Sequence, residues 1–275
     1  MSSTALAATT NISAIINAGQ ENPAPAGVAA SAAGFASLSY DDVTSELSWN
    51  VSWQDLTGTP VGMHIHAAAA PGNNAGVGLN IGDLSGLTSP SIGSAVIDAG
   101  LASDIMSGLS YINIHTSANG PGEIRGQVKP TNQNLVSSLD ASQEVDPPTG
   151  VPADAHGAAR IAYDPDTNML GWHIEWSDLT GPAVGLHFHG AAGPGQNAGV
   201  LLNVGDISGL SSPSIGTAII SDDFANDLLG GLSYINVHTA MNPGGEIRGQ
   251  VVPEPSSLML AASCLGLLFA IRRQS

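Results

Sequence analysis

The sequence predicts an all-β protein made of two tandem antiparallel β-sandwich or barrel domains, each with one short helix. Three observations support this fold class. The 275-residue chain repeats itself at an offset of 123 residues, apolar and polar residues alternate in short runs, and glycine is abundant at 34 residues while aromatic residues make up 4%. Alternation with a period of two is typical of half-buried strands, and frequent turn residues favour short strands over long helices.

The internal repeat sets the expected domain boundaries. Residues 16–128 align with 139–251 without an insertion, and more than half of the aligned residues are identical. The period is too long for a solenoid unit, so each copy is predicted to be a complete domain. We expect domains at 12–129 and 135–252, joined by a polar linker at 130–134.

Strands and one helix follow from the periodicity within each copy. The helix is predicted near 99–109, because apolar residues recur there at helical spacing behind Asp98. The alternating runs that predict strands in the first copy, separated by turn signals, lie at 47–54, 61–66, 111–115 and 123–128.

Composition and charge exclude several classes of function. Six Lys and Arg stand against 23 Asp and Glu, which gives a formal net charge of −17. Such a field repels DNA and RNA and offers no basic patch to an anionic membrane surface. The single cysteine, Cys264, lies beyond both copies, and no nucleophile elbow or phosphate-binding loop appears. We therefore expect a protein that is not an enzyme and does not bind nucleic acid.

The sequence changes character after the second copy. An apolar run of 14 residues predicts a C-terminal hydrophobic helix, and the arginines behind it predict a cytoplasmic C-terminus. The tail has three parts, a proline-acidic motif, an apolar segment and a basic end: Pro253, Glu254, Pro255, residues 258–271, Arg272 and Arg273.

This three-part tail at 253–275 closely resembles the PEP-CTERM sorting signal of Gram-negative-type bacteria. The resemblance implies transient membrane insertion, an inner-membrane intermediate, processing by an exosortase-type sorting enzyme, and delivery to the cell surface or extracellular matrix. Such a protein also needs an N-terminal secretion signal. The small-residue run at 5–8 fits the cleavage end of a signal whose front half is missing, so we expect the true start to lie upstream.

Three polar strings recur in both copies in the same order. They are G-x-H-x-H, Y-I-N-x-H-T and G-E-I-R-G-Q-V, which begin at Gly62, Tyr111 and Gly122 in the first copy. In this order the strings resemble the CHRD domain, a family named from chordin and widespread in bacterial exported proteins. The resemblance spans nearly the whole of each copy. It implies an exported protein acting in binding or structure, with an extracellular protein or a polysaccharide as partner.

The same strings predict a metal site in each copy. Two histidines separated by one residue on a strand lie about 6–7 Å apart on one face, and a third imidazole from a neighbouring strand completes a nitrogen site suited to copper or zinc. The hypothesis is one ion per domain, with these ligands: His64, His66 and His115, and His187, His189 and His238. The residues expected to support them, a carboxylate that orients an imidazole and an arginine that fixes the carboxylate, are Glu123, Arg125, Glu246 and Arg248.

The alternative interpretation is an ordinary polar sheet face. Outward-facing histidines are often solvated or bonded to a neighbour, and Glu123 with Arg125 would then form an exposed cross-strand ion pair. His156 and His173 occur in one copy only, and we expect them to play no part in a metal site.

Overall fold

The computed structural model describes residues 9–254, which form two sheets, one in each sequence repeat. The first domain contains helices α1 (Ile81–Ser85) and α2 (Ala99–Met106) and a 3-10 turn at Ala18–Gln20. Its strands are β1 (Thr9–Asn17), β2 (Ala33–Asp41), β3 (Glu46–Gln54), β4 (Pro60–Ala67), β5 (Val77–Leu79), β6 (Ser91–Val96), β7 (Ser110–Thr116) and β8 (Ile124–Lys129).

The second domain has the same elements and one additional strand. Its helices are α3 (Gly205–Ser208) and α4 (Asp222–Leu229), with a 3-10 turn at Ala141–Gln143. Its strands are β9 (Gln133–Asp140), β10 (His156–Asp164), β11 (Met169–Ser177), β12 (Ala183–His189), β13 (Val200–Asn203), β14 (Ser214–Ile219), β15 (Tyr234–Thr239), β16 (Ile247–Gln250) and β17 (Val252–Pro253).

Both sheets share one topology. The strand order is β5-β4-β7-β8-β1-β2-β3-β6 in the first and β13-β12-β15-β16-β9-β10-β11-β14 in the second, where β17 also pairs with β9. Neighbouring strands are antiparallel and each sheet curls into a half-barrel, which confirms the predicted all-β fold. The helix predicted near 99–109 is α2, whose N-cap Asp98 accepts a hydrogen bond from the Leu101 amide at 2.9 Å. The spacing of apolar residues in the sequence does not predict α1 or α3, because helices of five and four residues are too short to show a helical repeat.

The inner face of each half-barrel carries the apolar core. Trp49 is 2% exposed and Trp172 is fully buried, as the alternation on their strands requires. The indole N–H of Trp172 donates to Ser208 Oγ at 3.0 Å, so the largest apolar side chain of this core buries no unsatisfied donor.

The two domains pack against each other. β9 begins at Gln133, so the connection between the sheets is residues 130–132 and is shorter than the predicted linker. Lys129, at the end of β8, forms ion pairs at 2.8 Å with Asp164 and Asp166 of the second domain. A small apolar cluster between the sheets contains Ile15, Phe35, Ala162 and Ile215.

This interface changes how the two unmatched histidines are interpreted. His173 is 4% exposed and lies beside Arg160 of β10, whereas His156 is exposed and bonds to the Asp154 carbonyl. His173 also lines a cavity that residues of both domains surround, so it is not a neutral position for a control substitution. His156 is the appropriate control for experiments on the other histidines.

The described part of the tail is folded onto the second domain. Val252 and Pro253 pair with β9, and the Glu254 amide donates to the Asn134 carbonyl at 2.9 Å. Within residues 9–254, none of the helices has the length and apolar character needed to cross a membrane. The other predicted targeting features lie outside the described residues: the run at 5–8, Pro255, the segment 258–271, Arg272 and Arg273.

Candidate metal centre

The G-x-H-x-H string lies on β4, where strand alternation places His64 and His66 on the same face of the sheet. Their ring centroids are 5.5 Å apart. The register with β7 places Gly62 opposite His115, so His115 is a diagonal neighbour of His64. The ring centroids of His64 and His115 are 4.9 Å apart. The structure thus brings together the three histidines that the sequence selected in the first copy.

Gly62 leaves the space that two of these rings occupy. A Cβ at this position would lie 3.1 Å from Cε1 of His64 and 3.5 Å from Cδ2 of His115. The equivalent Cβ on Gly185 would lie 3.0 Å from His187 and 3.2 Å from His238. A side chain there would push the rings apart, so the glycine of the string belongs to the histidine cluster.

Hydrogen bonds to backbone carbonyls orient two of the three rings. Nδ1 of His66 bonds to the Ala75 carbonyl at 3.0 Å, and Nδ1 of His115 bonds to the Gly120 carbonyl at 2.9 Å. Because a carbonyl oxygen can only accept a hydrogen bond, Nδ1 of each of these rings carries the proton. The lone pair on Nε2 of the neutral ring is then free. Nε2 of His66, Nε2 of His115 and Nδ1 of His64 are buried and have no partner among the described residues.

One ring nitrogen from each of the three histidines lies within 4.8 Å of the other two. Metal-ligating histidines are usually held through their other ring nitrogen, and the carbonyls hold His66 and His115 in this way. The cluster therefore fits a three-nitrogen site for copper or zinc.

The second domain repeats this geometry. Nδ1 of His189 bonds to the Ala198 carbonyl at 3.0 Å, and Nδ1 of His238 bonds to the Pro243 carbonyl at 3.1 Å. One ring nitrogen from each of these three histidines again lies within 4.8 Å of the other two. The second cluster differs in one respect, because Nδ1 of His187 and Nε2 of His238 are hydrogen-bonded to each other at 3.0 Å, and Nε2 of His189 is the buried nitrogen without a partner among the described residues.

The surroundings favour the neutral form of five of the clustered imidazoles. Burial, together with the neighbouring His187, lowers the pKa of His238 to about 4. Because the neutral ring is the form that ligates a metal, the site needs little deprotonation near pH 7. Burial is also the main cause that lowers the pKa of His64, His66, His187 and His189.

A stack of three side chains supports His66 from one side. The ring of Tyr111 lies parallel to that of His66, with 4.8 Å between centroids and 3° between planes. The guanidinium of Arg125 lies 3.4 Å from the centre of the Tyr111 ring. Arg125 also donates to the Asn73 carbonyl at 2.9 Å and to Oδ1 of Asn74 at 3.1 Å. The arginine thereby ties the loop that follows β4 to the ring stack. The second domain has the same stack in His189, Tyr234 and Arg248.

The predicted supporting role of Glu123 is wrong. Its carboxylate accepts hydrogen bonds from Thr116 Oγ1 at 2.5 Å, from Asn119 Nδ2 at 3.4 Å and from the Thr57 amide. Burial raises the pKa of Glu123, but these hydrogen bonds outweigh it and the net pKa is lowered. Glu123 thus anchors two loops at the strand ends.

The supporting roles predicted for Glu246, Arg125 and Arg248 are also wrong. Glu246 accepts from Thr180, Thr239 and Asn242. Arg125 and Arg248 bond to loop atoms rather than fix these carboxylates. The backbone carbonyls that face Nδ1 orient the imidazoles, and sequence spacing carries no signal for a carbonyl.

The polar face is covered, so Glu123 and Arg125 do not form the exposed cross-strand ion pair of the alternative interpretation. Asn113 is 5% exposed and Arg125 is 1% exposed, beneath the loops that follow β1 and β4. The two loops bond to each other, since Asn22 Nδ2 donates to the Gly72 carbonyl and Asn74 Nδ2 donates to the Asn22 carbonyl, both at 2.7 Å. His64 and His115 lie half-buried at the edge of this cover, where the cluster is open to solvent.

Two further glutamates belong to this face, one buried and one half-buried. Glu21 is 9% exposed, and burial raises its pKa to about 7 despite the nearby Arg125. Glu144 is its counterpart in the second domain and shows the same rise to about 7. Sequence reasoning missed both glutamates and also Tyr111. The Gln-Glu pair that recurs at 20–21 and 143–144 is a signal that could have found the glutamates.

Comparison with known protein families identifies a CHRD domain twice, at residues 12–128 and 135–251. Searches of the curated proteins and of the solved structures found no significant match. The two matched ranges cover most of the 275 residues and coincide with the sequence repeats. The chain therefore belongs to the CHRD domain family, with one domain in each half.

Proposed function

We propose that this CHRD protein is an exported binding protein of the cell surface or extracellular matrix, and that each domain binds one copper or zinc ion. The observation that supports the metal site is the convergence of three imidazoles in each domain, with one ring nitrogen of each within 4.8 Å of the other two and two of the three rings held by carbonyls. In the first domain the three histidines also carry buried ring nitrogens without a partner among the described residues. Unpartnered buried polar atoms are rare in folded proteins, and three that converge favour a ligand.

The donor set favours these two metals. Imidazole nitrogen suits copper and zinc, whereas calcium and magnesium require oxygen ligands. Three protein ligands at a half-buried edge leave a coordination position open, and the net charge of −17 attracts cations towards the protein. The proposed role is capture or presentation of the ion, and the proposal includes no catalysis.

The export part of the proposal rests on the family and on the tail. CHRD domains are consistent with an extracellular binding module. The tail at 253–275 resembles a PEP-CTERM signal, which would route the chain through an exosortase-type enzyme to the cell surface or matrix of a Gram-negative-type bacterium. An extracellular protein or polysaccharide is the proposed partner there.

Metal titration tests the proposal directly. The full chain, purified without metal-affinity resin and treated with chelator, is titrated with Cu(II) and with Zn(II) by calorimetry, and metal content is measured after desalting. We expect two ions per chain with a dissociation constant tighter than about 10 μM. His66→Ala should retain one ion, and His66→Ala with His189→Ala should retain none.

His156→Ala is the matched control, because it removes an exposed histidine outside both clusters. It should still bind two ions. Circular dichroism confirms that each variant remains folded. No binding tighter than about 10 μM, or two ions in the double variant, would contradict the proposal and make the clusters structural.

A further inference from the structure

A cleft between the two domains surrounds Arg160, a residue of β10. Two adjoining cavities form this cleft, one of about 520 Å³ and one of about 470 Å³, and Asn50, Ile92 and Arg160 line both. Cavities of about 300–1,000 Å³ are typical of small-molecule sites. The cleft contains none of the six clustered histidines, so it is separate from the candidate metal centres.

Most N–H donors of the Arg160 guanidinium have no hydrogen-bond partner among the described residues. Within residues 9–254 its guanidinium makes one hydrogen bond, in which Nη2 donates to Nδ1 of His173 at 3.4 Å, and it forms no ion pair. Arginine carries five N–H donors and remains charged, so a half-buried guanidinium with one weak protein partner favours an anionic ligand.

The walls of the cleft offer complementary acceptors. Oδ1 of Asn50 and Oδ1 of Asn134 are buried without a hydrogen-bond partner among the described residues. Three serine hydroxyls on β2 and β3 line the same cavity, from Ser37, Ser39 and Ser48. These groups suit a ligand that carries several hydroxyls.

The charge around Arg160 limits the ligand to a low negative charge. Glu175 lines one cavity and Glu254 lines the other, and neither pairs with Arg160 within 4.0 Å. Two carboxylates near one guanidinium repel a ligand of high negative charge. A single carboxylate therefore binds only where it contacts the guanidinium directly and lies farther from the two glutamates.

The internal repeat shows that this cleft is where the two copies differ. Arg160, His173 and Glu175 stand where the first copy has Ser37, Asn50 and Ser52, whereas the six clustered histidines match between the copies. The charged and titratable side chains of the cleft therefore come from the second domain, and neutral polar ones come from the first.

We propose that this inter-domain cleft binds a hexuronate sugar, a hydroxyl-rich ring with one carboxylate. The guanidinium of Arg160 holds the carboxylate in a two-pronged hydrogen bond, and the ring hydroxyls donate to the free oxygens of Asn50 and Asn134. The serines of β2 and β3 bind the remaining hydroxyls. This site is independent of the metal proposal.

The test uses D-glucuronate as the probe against the full chain, with glucose and acetate as comparison ligands. Binding is followed by calorimetry and by NMR shifts of the side-chain amides of Asn50 and Asn134. We expect glucuronate to bind at least tenfold more tightly than either comparison ligand and to shift both amides.

Arg160→Ser is the sharpest variant, because serine is the residue that the first copy has at this position. It should weaken glucuronate binding at least tenfold, and Arg160→Lys should also weaken it because the two-pronged contact is lost. His156→Ala should bind like the native chain. Absence of glucuronate binding at about 10 mM, equal binding of acetate, or unchanged binding by both Arg160 variants would overturn the proposal.

Discussion

Glu21 is buried and Glu144 is half-buried at equivalent positions near Arg125 and Arg248, and they make stability depend on pH. Burial outweighs the effect of the nearby arginine, so the pKa of each carboxyl rises from 4.5 to about 7. The folded protein therefore holds these protons more tightly than the unfolded chain does. Their stabilising contribution is complete below about pH 4.5 and is lost as the pH rises through about 7.

The pKa change sets the size of the effect. A rise from 4.5 to about 7 corresponds to roughly 3 kcal/mol for each carboxyl. Partial exposure to solvent reduces this to about 1–2 kcal/mol. Glu21→Gln removes the ionisable group and keeps the shape. We expect the variant to match the native protein at pH 4.5 and to be about 1–2 kcal/mol more stable at pH 8.

Urea denaturation in the presence of EDTA at pH 4.5, 6 and 8 measures this difference. The histidines are common to both proteins, so their contribution cancels in the comparison. Glu144→Gln should show the same gain in the free energy of unfolding at pH 8. The double variant should show about twice that gain, because the two carboxyls lie in different domains and act independently. A difference that is the same at all three pH values would refute the reasoning.

Three more predictions concern the core, the domain contact and the tail. Trp172→Ala empties a fully buried site and should cost about 3–5 kcal/mol in chemical denaturation, and a loss below about 1 kcal/mol would contradict the assigned packing. Lys129→Ala leaves the 8%-exposed Asp164 without its cation, so the melting temperature should fall, and an unchanged value would show that the ion pair contributes nothing. Replacement of Pro253, Glu254 and Pro255 by alanine should leave the tail attached in the native host; mass spectrometry that shows normal trimming would refute the sorting hypothesis.

The all-β fold and the grouping of the histidines could be predicted from the sequence because both follow from strand alternation. His64 and His66 share a face at a spacing of two residues, and the third histidine needs only a neighbouring strand in a suitable register. Trp49 and Trp172 are buried for the same reason. Local periodicity was sufficient for these features.

The supporting contacts could not be predicted because they come from loops. The carbonyls of Ala75 and Gly120 lie on segments without periodicity, and Glu123 reaches Thr57, which is 66 residues away in sequence. The contact between the domains also has no local pattern. From the sequence alone, Arg160 is an ordinary outward-facing strand residue. Only the packing of the first sheet against the second places it in a cleft.

A crystal structure of the full chain grown with Zn(II), with anomalous data collected at the zinc edge, tests the central claim most directly. One strong zinc peak is expected in each domain, about 2.0–2.1 Å from Nδ1 of His64, Nε2 of His66 and Nε2 of His115, and from the equivalent atoms of His187, His189 and His238. Peaks confined to surface carboxylates, with both histidine clusters metal-free at saturating zinc, would contradict it.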